Sequence, residues 1–141
     1  MPGTIPAARQ HLIDAIAKHT RRTPGAPVPP REFVQAYYRG VGEEDLQLRG
    51  PAEFAASAAG HLGFGSSRRP GTPLVRVFNP DPKRDGWESP HTIVEVVTDD
   101  MPFLVDSLAV VLGDSRLSIQ LMIHPVLRMV RDRRGKLLRM T

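Results

Sequence analysis

The apolar period changes partway along this chain, and that change restricts it to folds combining helices with an antiparallel sheet. Between Pro6 and Arg21, Leu12, Ile13 and Ile16 recur at helical spacing. Lys18, His19, Arg21 and Arg22 lie near the C-terminal end of that stretch, where cations suit the helix dipole. The segment 23–30 (TPGAPVPP) cannot continue a helix, because proline has no N–H to donate. Pro30 suits a first helical position and opens a second helix through Phe33, Val34, Tyr37 and Tyr38, which Gly40 stops. An acidic turn over Glu43 to Leu48 leads to Gly50-Pro51. A third, alanine-rich helix starts there, runs to about Leu62 and ends in the Gly60, Gly63, Gly65 cluster.

From Leu74 the pattern is that of strands. Leu74 to Phe78 reads as a short strand closed by Asn79-Pro80, and residues 80–91 as a polar loop holding the one tryptophan, Trp87. Thr92 to Thr98 is β-branched and apolar apart from Glu95, which predicts a central strand. Asp99-Asp100-Met101-Pro102 predicts a helix start, with an aspartate accepting from free backbone N–H groups and proline in the first turn. That helix has the stripe Leu104, Leu108, Val111 and Leu112, and Gly113 ends it. Ser118 to Arg131 alternates: Ile119, Leu121, Ile123, Leu127 and Met129 share one face, and Gln120, His124 and Arg128 the other. Pro125 marks it as an edge strand. Asp132 to Gly135 reads as a hairpin turn into a return strand from Lys136 to Met140.

The order strand, helix, strand, strand is the opening of a ferredoxin-like unit. It predicts an α+β fold: a helical segment over 1–70, then a partial antiparallel sheet over 71–141 that stops after the third strand of that unit. The predicted strand order is Leu74–Phe78, Thr92–Thr98, Lys136–Met140, Ser118–Arg131, with the Pro102–Leu112 helix on one face. Part of such a sheet face lacks cover, which predicts a dimer or larger assembly unless the N-terminal helices fold over it.

Composition narrows the function classes. With no cysteine, disulfides and thiolate metal sites are excluded, and a reducing cytoplasm is the expected compartment. No run approaches the roughly 20 apolar residues that span a bilayer, so no membrane partner is expected. A net charge of +4 is weak support for nucleic-acid binding. Gly60-His61-Leu62-Gly63-Phe64-Gly65 has the wrong spacing for a dinucleotide loop and follows a helix, where glycine serves as a terminator. Asp99, Asp100 and Asp106 read as helix-start acids before they read as a cation site. His91 and His124 lack a third ligand, so no metal is expected. Trp87 reads as a loop anchor over the core. Arg128, Arg131, Arg133, Arg134, Lys136 and Arg139 form a basic hairpin with little aromatic interleaving, which reads as a solvated tip.

Four stretches carry a family resemblance. They are 75–80 (VRVFNP), 86–92 (GWESPHT), 97–107 (VTDDMPFLVDS) and 123–127 (IHPVL), in that order. Together they resemble the N-terminal region of the large bacterial NAD-specific glutamate dehydrogenases, where a module similar to an ACT domain is found. The resemblance covers about Leu74 to Gly135 and, more loosely, the helical start. It implies a parent enzyme that oxidatively deaminates L-glutamate to 2-oxoglutarate with NAD, and a catalytic region far downstream as this segment's partner. It implies no catalytic and no cofactor-binding residue in this chain. The loop Asp99, Asp100, Met101, Pro102, Phe103 stands where amino-acid-sensing ACT domains receive their effector, with Phe103 where those domains usually have glycine. Two other readings stay open from the residues: a free-standing amino-acid-binding module of ACT type, and a small basic nucleic-acid binder.

Overall fold

The computed structural model describes residues 7–141; the first residues of the helix expected from Pro6 lie partly outside them. The first half is helical, as its spacing predicts. Helix α1 spans Ala7–His19, α2 Pro30–Tyr37 and α3 Pro51–Phe64, with a single 3-10 turn at Asp45–Gln47. Pro30 and Pro51 occupy first turns, where a missing N–H costs nothing. The inward faces build one core around Ile13, Ile16, Phe33, Val34, Tyr38, Phe54, Ala58 and Leu62. Tyr38 is fully enclosed, and its hydroxyl donates to the Phe54 carbonyl at 2.7 Å. The rings of Phe33, Tyr37, Tyr38 and Phe54 form a chain with centroids 4.8–5.4 Å apart. Arg9 of α1 reaches under the end of α2 and donates from Nε to the Val41 carbonyl at 2.7 Å. Its Nη2 donates to the carbonyls of Tyr38 and Arg39, satisfying acceptors that a helix C-terminus leaves free.

The second half is two antiparallel strand pairs and two helices, so the class is α+β. Strand β1 (Leu74–Phe78) pairs with β2 (Ile93–Val97), and β3 (Met129–Arg131) with β4 (Leu137–Met140). A short helix, α4 (Pro82–Asp85), lies within residues 80–91, where a polar loop is expected, and α5 spans Leu104–Asp114. The inner face of the first hairpin lies on α3. A Cβ on Gly65 would meet Val97 at 3.3 Å, so the close approach of α3 to β2 uses the absence of a side chain there. Trp87 is buried beneath the Arg49 guanidinium, 4.7 Å from the ring centroid, and pins the β1–β2 connection to the start of α3.

The predicted four-stranded order is corrected. The described residues form two separate two-stranded sheets, and β2 and β4 are not neighbours. Segment 66–68 has taken the outer side of β4 instead: Leu137 N donates to Ser66 O at 2.8 Å, and Arg68 N to Gly135 O at 2.9 Å. Leu137 is drawn into the helical core. The long strand expected over Ser118–Arg131 shrinks to Met129–Arg131 for a related reason. Leu121, Ile123 and Leu127 keep the alternation but lie against the helical core without a ladder partner. Side-chain burial needs only the period of two, while a strand also needs a neighbour for its backbone. Thr92–Thr98 is likewise not central, because β2 pairs with β1 alone.

The helix expected over Pro102–Leu112 is also corrected. It begins at Leu104, and none of its residues is buried, so it does not pack on a sheet face. Leu104, Leu108 and Leu112 are half-buried and Val111 is exposed.

Candidate functional site

The loop between β2 and α5 leaves the hairpin at Val97 and turns sharply at Phe103, which has φ +63°. A left-handed residue cannot belong to a helical turn, so it delays the start of α5 past Pro102. Phe103 thus takes a backbone conformation that favours glycine, but carries a ring that is 76% exposed.

Neither aspartate caps the helix, contrary to expectation. Phe103 is the N-cap, with no side-chain hydrogen bond. Asp99 turns away and accepts from Arg68 Nη1 at 3.0 Å. The pair is asymmetric: the Arg68 side chain is 9% exposed and that of Asp99 76%. Asp100, Met101, Pro102 and Asp106 are exposed. No group of three potential metal ligands comes together among the described residues. His91 is exposed, and its backbone N–H donates to Ser89 Oγ at 3.1 Å; His124 is on the outward face of its segment.

The loop opens onto a cleft of about 1300 Å³ whose lining includes Val94 and Val96 of β2, Leu104 and Leu108 of α5, and Leu121 and Ile123. Arg68, Asp99, Asp100 and Arg131 also line it. So does His61 of α3, which bridges helices and hairpin. Its Nε2 is 3.2 Å from the Val96 carbonyl, and its Nδ1 is 2.9 Å from the Tyr37 hydroxyl. A carbonyl can only accept, so the bridge requires the proton on Nε2, and Nδ1 then accepts from Tyr37. Burial, helped by the nearby Glu95 charge, raises the Tyr37 phenol above its ordinary range.

The turn of the second hairpin is tightly specified. Asp132 Oδ1 accepts from the backbone N–H groups of Lys136 at 2.9 Å and Arg134 at 2.8 Å, which hold its carboxyl below the usual range. Arg131 Nη1 donates to the Gly135 carbonyl at 3.0 Å, the same oxygen that receives Arg68 N. Its guanidinium is depressed by partial burial and by the charge of Arg68. Of the basic residues in this hairpin, Arg128, Arg133, Arg134, Lys136 and Arg139 are exposed, and Arg131 alone turns toward the cleft.

Sequence reasoning missed Arg68 and His61 as cleft residues. Arg68 sits in a Ser-Ser-Arg-Arg run that has no period, so nothing local marks it as buried. His61 lies inside α3 with the glycines around it, a stretch that proves to be helix up to Phe64 rather than loop.

A family model described as glutamate dehydrogenase, ACT1 domain, matches residues 33–141. The chain is similar to the NAD-specific glutamate dehydrogenase of Halomonas elongata, with 36% identity over 107 residues, covering 76% of this chain and 7% of that protein. It is also similar to the NAD-specific glutamate dehydrogenase of Pseudomonas aeruginosa, with 46% identity over 65 residues, covering 46% of this chain and 4% of that protein. The chain therefore spans less than a tenth of the length of these curated relatives. No solved structure matches it.

Proposed function

The chain belongs to the glutamate dehydrogenase ACT1 domain family, and on that premise we propose that it is a non-catalytic regulatory and structural module of an NAD-dependent glutamate dehydrogenase. The observation that carries this reading is the family match over residues 33–141, joined to relatives many times longer that are named for the whole enzyme. In this reading residues 1–70 form a helical scaffold and residues 71–141 the ACT-like unit. NAD and glutamate are handled by a downstream catalytic region, which is the module's main partner. The parent enzyme works in the cytoplasm, and neither nucleic acid nor membrane is a partner. No helix among the described residues is long and apolar enough to cross a membrane.

The regulatory part of the proposal places an effector at Asp99, Asp100, Met101, Pro102 and Phe103. The left-handed backbone at Phe103 supports it, because strained residues gather at ligand-binding turns. Self-association is the structural part. It is supported by the exposed outer face of the first hairpin, where Val75 and Val77 are both more than 60% exposed, and by the unburied helix α5.

Calorimetric titration of the 141-residue chain with NAD tests the non-catalytic assignment. No saturable heat is expected, since no strand–glycine loop–helix phosphate site is present in residues 7–141. Stoichiometric binding at micromolar affinity would overturn it. Light scattering over a hundredfold dilution tests self-association: a mass that stays monomeric at the highest concentration rejects it.

A further inference from the structure

Helix α5 has apolar residues on two opposite sides. Leu104, Leu108 and Leu112 line the cleft, while Asp106, Val110 and Asp114, spaced by four, share the other side. Val110 is 61% exposed, and both aspartates are exposed. A helix apolar on both sides is ordinarily covered on both. Its outer side is also acidic: residues 99–116 hold four aspartates and one cation, Arg116. Among the described residues only Asp99 of those four forms an ion pair, with Arg68.

The β3–β4 pair has the opposite character. Met129, Leu137 and Met140 lie on the helical core, so Val130 and its cross-strand partner Arg139 point outward. Arg128, two residues before Val130, shares that face, and Leu138, which the register shift skips, is 44% exposed. Residues 128–139 hold six cations and one acid, Asp132, so the face is strongly basic. None of the six forms an ion pair among the described residues.

We infer that the acidic side of α5 docks on the outward β3–β4 face of a second copy, and that the two copies do so reciprocally. The inference rests on the self-association proposed above and names the surfaces that make it. An acid–valine–acid stripe then meets Arg128, Val130 and Arg139. Asp106 and Asp114 are about 12 Å apart along the helix. Arg128 and Arg139, diagonal across the ladder, are about 7 to 8 Å apart at the backbone, and their long side chains span the difference. Single exposed ion pairs hold little. A two-fold dimer makes every pair twice and closes them around Val110 and Leu138. A polyanion would satisfy the arginines but leave the outer side of α5 bare, whereas a second copy covers both faces.

Sedimentation equilibrium of the 141-residue chain at low salt tests this with two double variants, Asp106→Lys with Asp114→Lys, and Arg128→Glu with Arg139→Glu. All four positions are exposed. Each variant alone should dimerise at least about tenfold more weakly, because like charges then face each other. An equimolar mixture should recover the lost affinity, since both reciprocal contacts are again of opposite charge. Recovery separates contact across the dimer from damage to the fold, which mixing cannot repair. A dimer that both variants retain, or a loss that mixing does not restore, overturns this interface and leaves self-association standing. A chain that is monomeric throughout overturns both, and heparin binding lost in the arginine variant would then assign the face to a polyanion.

Discussion

Arg76 and Glu95 stand directly opposite each other on β1 and β2, and two guanidinium nitrogens of Arg76 converge on one Glu95 oxygen. Nε lies 2.9 Å from Oε1 and Nη2 2.5 Å. The contact is on the inner face of the hairpin, where Glu95 is 4% exposed and Arg76 stacks on Phe78 and Phe64, 4.1 and 5.0 Å from the ring centroids. A charge in an apolar strand is thus neutralised across the ladder and covered by aromatic faces.

Removing one partner leaves the other charge without its match. Glu95→Leu should therefore cost about 3 kcal/mol, at the lower end for buried pairs because the Arg76 side chain is 33% exposed. The double variant Arg76→Met with Glu95→Leu should recover most of that loss. Urea unfolding of Glu95→Leu, Arg76→Met and the double variant checks this, and additive losses in the double variant would contradict it.

Gly135 is required twice over. It has φ +94°, and a Cβ there would overlap the Arg68 carbonyl. Gly135→Ala should cost at least about 2 kcal/mol, from left-handed strain plus displacement of the hairpin from segment 66–68. Hydrogen exchange should show Leu137 N–H, bound to Ser66 O, losing protection.

Both tyrosines of the chain, Tyr37 and Tyr38, have phenols raised by burial. A phenol whose folded pKa exceeds its unfolded value adds stability that is complete below the unfolded value, about 10. That contribution falls as pH climbs from there through the folded value. Tyrosinate absorbance and loss of helical circular dichroism should therefore rise together above about pH 10. Ionisation with the helices intact would show that the phenols are accessible.

Phe103 has a left-handed backbone and an exposed ring, so its side chain contributes strain and little burial. Phe103→Gly should raise stability by about 1 kcal/mol, and Phe103→Val should lower it by a similar amount, since β-branching worsens that conformation. Thermal melts of the two variants should move in opposite directions.

The helical half was legible in the sequence because its signals are local. Prolines at first turns, glycines at ends and apolar residues at helical spacing act within a few residues, and α2 and α3 begin where Pro30 and Pro51 predict. The β1, β2 and β4 segments, the Asp132–Gly135 turn and the buried Trp87 were legible for the same reason. The family was legible because its motifs are long and ordered.

Pairing and docking were decided only in three dimensions. The alternation of Leu121, Ile123 and Leu127 states which side is buried, but not whether sheet or helix covers it, and here the helical core does. The acids before α5 could cap a helix or meet a distant cation, and Asp99 takes Arg68, 31 residues away in the chain. The edge of β4 could take β2 or another segment, and Ser66–Arg68 takes it because Leu137 reaches the helical core from that position. Period and propensity act over neighbouring residues, and they located α2, α3, β1 and β2. Partners for a free edge, a buried charge or an apolar side are chosen by what the rest of the chain brings near, and only the tertiary structure holds that information.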